Sequence, residues 1–200
     1  MYKGKKYSLP VIKSLMKKIA KENLIPEEVK VAWVHSKVVY NFADRIAGVA
    51  AKNGYKINRP YLKSACFVHD IGRMITGSKG SRVLEKPVYH GLRGYRILKK
   101  SRYPECFARI CLVHLNGTGL DSITNRKYGI FKNRNTLAKS VEEKIIAYAD
   151  ARTSFNKQKK KPEIKPFIWA YNRFNKYPRV GKRLKENHNF IQKITKGQIK

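Results

Sequence analysis

The sequence predicts an all-α fold, a helical bundle carrying a basic helical extension at its C-terminal end. Three observations carry this. Apolar residues recur at three- and four-residue spacing along most of the chain, while strand-like alternation is nearly absent. Paired start and stop signals bracket six helices. The 200 residues are 42% hydrophobic, enough for one sizeable core.

The elements follow in order. Pro10 opens a first helix with Val11, Leu15 and Ile19 on one face. Pro26 with Glu27 and Glu28 starts a second, acids at its positive end, running to the Asn53-Gly54 stop. The third begins at Arg59-Pro60 and ends between Gly72 and Gly77. "TGSKGSRVLEKP" reads as a loop. A fourth helix spans Tyr89 to Lys100, and Pro104 opens a fifth that ends at "NGTG". Residues 116–138 are polar and irregular. Ser140 with Glu143 three residues on forms a capping box for the sixth, "SVEEKIIAYADARTSF". From Asn156 the composition shifts to "NKQKKKPEIKPF", read as a linker. The division is therefore 1–155 for the helical domain and 156–200 for the extension.

The charge balance is 45 Lys+Arg against 13 Asp+Glu, a net +32. Such a field attracts nucleic acid, polyphosphates or nucleotides; a genome-wide bias toward lysine produces the same count, and charge alone leaves both open. No apolar run approaches the ~20 residues that span a bilayer, and the basic start lacks an apolar leader core, so a membrane partner is not expected. Cys66, Cys106 and Cys111 are three in number and sit among apolar residues. That suits reduced, buried thiols in the cytoplasm.

Ionisable groups interrupt the apolar faces. In the second helix Val31, His35, Val38, Phe42 and Ile46 share one stripe, turning His35 inward. Phe107, Ile110, Cys111 and His114 do the same in the fifth, and Ile146 and Asp150 lie one turn apart in the sixth. His69 and Asp70 end the apolar run "ACFVHDIGRMI". Any one of these alone is more often a hydrogen-bonded core residue or a cap. Together, His35, His69, Asp70, His90, His114 and Asp150 come from five successive helices. Burying six unrelated polar groups would burden a marginally stable domain, whereas a shared cation removes most of that penalty.

In order and context these residues resemble the HD superfamily of metal-dependent phosphohydrolases. "HDIGR" matches the HDIG variant. "HGLRGYRIL", "ICLVHLNGTGL" and "EEKIIAYADA" look like its following segments, with Asn116 a departure from the usual Ile or Thr. The resemblance spans roughly residues 10–155 and is closest to small archaeal HD-domain proteins, then to the bacterial HD-type diadenosine tetraphosphate hydrolase. It implies an HD-domain helical bundle and one or two divalent transition-metal ions (Fe, Mn, Zn, Ni or Co). His35, His69, Asp70 and Asp150 would hold one ion; His90 and His114 would hold a second, with Asp70 bridging. It further implies hydrolysis of a phosphoester or phosphoanhydride, in a nucleotide or related phosphorylated substrate, by metal-activated hydroxide. Asp70 and Arg73 are the catalytic candidates. Arg73, Lys79, Arg93 and Arg96 are candidate substrate-phosphate contacts, with Lys100 and Arg82 nearby.

The extension mixes Lys and Arg with Trp169, Tyr171, Phe174 and Tyr177, a composition that can stack bases and bind phosphates. The aromatics are read as a helix pair burying Phe167, Ile168, Tyr171 and Phe174 on the core, and the charges as a nucleic-acid contact. An alternative function is therefore an HD-derived RNA-binding protein with a structural metal site. Deleting residues 156–200 is expected to spare hydrolysis, because the ligand candidates all lie at or before Asp150.

Overall fold

A computed structural model describes residues 7–77, 88–156 and 158–199. Their order is α1 (Leu9–Glu22), α2 (Glu28–Lys52), α3 (Arg59–Val68), α4 (Arg73–Thr76), α5 (Tyr89–Lys100), α6 (Glu105–Val113), a 3₁₀ turn (Leu115–Gly117), α7 (Ser122–Lys127), α8 (Val141–Ala151), β1 (Thr153–Asn156), β2 (Lys161–Ile164), α9 (Phe167–Phe174) and α10 (Pro178–Thr195). The fold is all-α, with a single two-stranded hairpin among the described residues. The loop read from "TGSKGSRVLEKP", with Lys79 and Arg82, lies largely outside them.

The long α2 is the axis of the bundle, packed by α1, α3, α8 and α10. Its buried stripe runs through Val29, Ala32, Ser36, Val39, Ala43, Ile46, Ala47 and Ala50. The expected stripe through Val31 is displaced by one residue: Val31 is 48% exposed. Small side chains interleaved with Val29, Val39 and Ile46 mark the face where neighbouring helices close in. His35 consequently sits at the edge of that face, partly open to solvent, while Phe42 and Ile46 remain buried as expected.

Local chemistry sets the ends of α3 and α8. Asn58 caps α3 by accepting the Tyr61 N–H at 3.1 Å. Ser140 and Glu143 form the capping box of α8. Glu143 also accepts the Lys139 N–H at 2.7 Å and pairs with the Arg109 Nε of α6 at 2.9 Å. This fixes the helix that carries Asp150 against α6.

The third predicted helix is broken earlier than its apolar pattern implies. After Val68 the backbone tightens into successive three-residue turns, with Ile71 N–H donating to Val68, Arg73 to Asp70 and Met74 to Ile71. The break lies where the chain turns His69 and Asp70 into the bundle. Residues 116–138 are more ordered than their polarity suggested. Asp121 caps α7, and Asn125, fully buried, donates to the carbonyls of Leu120 and Arg134.

The segment read as a linker from Asn156 forms the hairpin β1–β2, with Thr153 opposite Ile164 and Asn156 opposite Lys161. Beyond it, α10 packs on α2 and α8. Ile191, Ile194 and Ile199 join the main core, and Asn53 and Asn187 donate to the carbonyls of Ile194 and Lys144. In α9 the buried side is formed by Ala170 with Phe167 and Phe174 half-covered, whereas Ile168 is 59% exposed.

Candidate metal centre

All six inward-facing residues named from the sequence meet at one place. His35 comes from the middle of α2, His90 from the first turn of α5, and Asp150 from the last turn of α8. His69 and His114 each occupy the position just past the C-terminal end of a helix, α3 and α6. There the ring can reach back to the carbonyls of the last turn, whose lone pairs the helix ladder does not fully use. His69 Nδ1 is 2.6 Å from the Cys66 carbonyl oxygen, and His114 Nδ1 is 3.0 Å from that of Ile110. In the neutral ring each Nδ1 donates to its carbonyl, which leaves the Nε2 lone pair aimed into the bundle. This is the orientation that outer-sphere hydrogen bonds impose on ligating histidines.

Asp70 sits between two groups of donors. Its Oδ2 lies 3.7 Å from His35 Nε2 and 3.6 Å from His69 Nε2. Its Oδ1 lies 3.2 Å from His90 Nε2 and 3.5 Å from His114 Nε2. Asp150 Oδ1 closes the first group, 2.9 Å from His35 Nε2 and 3.4 Å from His69 Nε2. The donor atoms of His35, His69 and Asp70 all lie within 4.8 Å of one another, as do those of Asp70, His90 and His114.

The residues fit a cation on evidence internal to the site. His69 Nε2 and Asp70 Oδ1 are buried and have no hydrogen-bond partner among the described residues. Such orphaned polar atoms are unfavourable in a protein interior. His90 Nε2 and His114 Nε2 face each other at 2.8 Å, a contact that needs a proton or a cation between two lone pairs. Burial raises the carboxyl pKa of Asp70, but Arg73 and the surrounding imidazoles outweigh it and hold the group well below its ordinary range. Asp150 is likewise held low against burial, by His35 and His69. Burial pushes His90 down, keeping its imidazole neutral. For His69, burial lowers the pKa but Asp70 and Asp150 outweigh it and raise it to about 9, so that without a cation Nε2 carries a proton, which a bound cation would displace. Two carboxylates and inward-facing imidazole nitrogens are a donor set suited to a divalent transition metal.

Arg73 donates from Nε to Asp70 Oδ2 at 2.7 Å, with a third of its side chain exposed. Arg93 and Arg96, named with it from the sequence, lie further along α5 and line a separate groove. Lys79 lies outside the described residues. The sequence reading missed the carbonyls of Cys66 and Ile110, because nothing in a side-chain pattern marks a backbone acceptor. It also missed Lys18 of α1, one of many lysines on a solvent face, which reaches the groove.

Three glycines let the elements of the site approach. A Cβ on Gly72 would stand 2.6 Å from the Gly94 nitrogen and 2.7 Å from the His90 carbonyl carbon. One on Gly91 would stand 2.5 Å from the Cys111 carbonyl oxygen, and one on Gly94 2.9 Å from Cys111 Sγ. The turn after Asp70, α5 and α6 are thus stacked at backbone contact.

The fold and the cluster together define a class: helical domains that gather histidines and aspartates around a polar centre able to hold metal. The chain belongs to the HD domain family, whose profile matches residues 32–154. HD domains are typically metal-dependent hydrolases. The chain is similar to an uncharacterized protein of Methanocaldococcus jannaschii, 26% identical over 181 residues, which is 90% of this chain and 89% of that protein. It is also similar to a tRNA (cytidine(56)-2'-O)-methyltransferase of Picrophilus torridus, 28% identical over 123 residues, or 62% of this chain and 31% of that protein. No solved structure matches.

Proposed function

We propose that this chain is a metal-dependent phosphohydrolase acting on a phosphoester or phosphoanhydride of a nucleotide or related phosphorylated molecule. The observation that carries the reading is Asp70, whose two oxygens face two separate sets of imidazole nitrogens. His35, His69, Asp70 and Asp150 would hold one cation; His90 and His114 would hold a second, with Asp70 shared. A divalent cation supplies Lewis acidity toward a phosphoryl oxygen and makes water a nucleophile at neutral pH.

The chain's own residues provide the rest. Nδ1 anchoring of His69 and His114 fixes both rings without further ordering. Arg73 holds the Asp70 carboxylate through Nε, and its terminal nitrogens offer a planar pair of donors to a phosphoryl oxygen. His35 and Asp150, each about one-fifth exposed, mark the side from which substrate and water enter. The test is reconstitution of purified protein with Mn, Fe, Co, Ni or Zn, followed by a panel of phosphomonoesters, phosphodiesters, nucleoside polyphosphates and diadenosine tetraphosphate. Chelator-sensitive release of phosphate or alcohol from any member supports the reading. Silence across the panel with every metal removes it.

A second reading rests on a different observation. The relative that acts on tRNA, and the +32 charge, favour contact with RNA through the basic surface. If RNA is a partner, its binding weakens steeply with salt, with a log–log slope of about −0.7 per phosphate contact for single strands. A cytoplasmic location is proposed alongside. No helix among the described residues is long and apolar enough to cross a membrane, and Cys66, Cys106 and Cys111 are free.

A further inference from the structure

A cavity of about 510 Å³ lies between α1, α4 and α5, lined by none of the candidate metal ligands but by residues of the same helices that carry His90 and follow Asp70. Its floor is apolar: half-covered Leu15 from α1, Ile75 from α4 and Ile97 from α5, with buried Ile19 of α1 beneath them. Its rim is cationic, with Lys18 from α1 and Arg93, Arg96 and Lys100 from α5, and Glu22 the one carboxylate among the described lining residues. We propose that this groove is a binding subsite for a nucleoside polyphosphate, the base resting on the isoleucine floor and the phosphates on the α5 cations.

The position of the groove ties it to the cluster. Gly72, two residues after Asp70, touches the backbone of α5 at His90 and Gly94. One turn further along each element, Ile75 and Ile97 form the groove floor. Arg93 follows His90 by three residues and Lys100 by ten. At 1.5 Å per residue the cations therefore extend from roughly 5 to 15 Å along the helix axis beyond the candidate ligand. A phosphate chain running along α5 from His90 would pass Arg93, Arg96 and Lys100 in turn.

The chemistry of the lining selects the occupant. The volume is within the range of small-molecule sites, roughly 300–1,000 Å³. A bare polyphosphate has no use for four apolar side chains, and a nucleoside has none for four cations against one carboxylate. A molecule with a flat apolar end and a multiply charged end uses both. Lys18 stands on a different helix from the three α5 cations, so charge converges on the cavity from two walls rather than lining one solvated helix face.

The orientation toward the cluster rests on the phosphohydrolase reading, whereas binding in the groove is measured without turnover. The experiment is isothermal titration of the full-length wild-type protein with the β,γ-methylene analogue of ATP. The ligands adenosine and tripolyphosphate are run beside it, and the variant compared is Lys18→Glu/Lys100→Glu. Expected is a saturable site in the wild type, weakened at least tenfold in the variant, with adenosine and tripolyphosphate each binding more weakly than the nucleotide. A circular-dichroism melt shows that the variant is folded, and Lys100→Arg retains binding where the reversals lose it. Equal nucleotide affinity in the wild type and the folded charge-reversal variant overturns the proposal, whatever the protein hydrolyses. So does tripolyphosphate binding as tightly as the nucleotide. Loss of nucleotide binding in the variant sustains the groove even if no phosphoester in the panel is cleaved, an outcome that would remove only the catalytic reading.

Discussion

Adding one methyl group at Gly72 tests whether the metal centre depends on backbone contact between the Asp70 turn and α5. In Gly72→Ala the new Cβ stands 2.6 Å from the Gly94 nitrogen, 2.7 Å from the His90 carbonyl carbon and nearer still to the His90 carbonyl oxygen. Cβ contacts shorter than 3.0 Å essentially do not occur in proteins, and backbone atoms cannot rotate away. α5 must retreat by about 1 Å in a close-packed interior. It cannot retreat freely, because Gly91 and Gly94 already press on Cys111 of α6. The strain is expected to lower stability by about 1–3 kcal/mol, the usual range for overpacking. More telling is the site. His90 Nε2 lies 3.2 Å from Asp70 Oδ1 and 2.8 Å from His114 Nε2, and a displacement of α5 carries it off both. A misplacement of about 1 Å lowers turnover on the order of 10²-fold. The assay is metal content by plasma mass spectrometry together with hydrolysis of an activated phosphoester by Mn-loaded protein. Gly48→Ala is the control. It is helical with nothing within 4 Å of the added Cβ, so it should stabilise the fold by about 0.5–1 kcal/mol and stay active. A Gly72→Ala protein with wild-type metal content and turnover would refute the argument.

His90→Ala and His114→Ala should each lower metal content from about two ions per chain to about one and largely abolish turnover. Full activity of His114→Ala with one tightly held ion would make His114 a core residue satisfied by Ile110. Glu143→Ala removes the acceptor of the Lys139 and Ser140 N–H groups, keeping only the Ser140 Oγ half of the α8 capping box, and leaves the Arg109 guanidinium without its carboxylate. It should cost about 3–5 kcal/mol in urea unfolding, and a loss below 1 kcal/mol would contradict the assigned network. Ile194→Ala, in the core against α2, should cost about 2–5 kcal/mol. Because α10 completes that core, deleting residues 156–200 is not expected to spare hydrolysis, contrary to the reading from ligand positions alone, and a chain ending at residue 155 should fail to remain soluble. A soluble, active truncated chain would show that α10 is dispensable.

The candidate ligands were legible because polar groups at helical spacing on apolar faces stand out from the pattern that surrounds them. His35, His114 and Asp150 each interrupt such a face, and His69-Asp70 ends another. Element ends were legible where side chains make them, as at Asn58 and Ser140. The exact stripe on α2 was not, because four alanines and Ser36 carry little hydrophobic signal between Val29, Val39, Phe42 and Ile46, while the exposed Val31 and Val34 carry a strong one. Neither was the hairpin, whose strands TSFN and KPEI are only four residues long and show no apolar alternation; they are joined by the backbone ladder and by a cross-strand side-chain bond, Asn156 Nδ2 to Glu163 Oε1 at 2.9 Å. The placement of α10 was hidden for a related reason. Its isoleucines are spaced among lysines, and only the tertiary contact shows that Ile191 and Ile194 belong to the core while the charges face out.

The central claim is that Asp70 is shared by two cation sites. Its most direct test is the metal stoichiometry of the reconstituted wild-type protein beside Asp70→Asn, both dialysed free of loose ions and compared at matched folding by circular dichroism. The account predicts close to two ions per chain in the wild type and close to none in Asp70→Asn. A wild-type protein that retains no metal, or an Asp70→Asn protein that retains as much as the wild type, would contradict it.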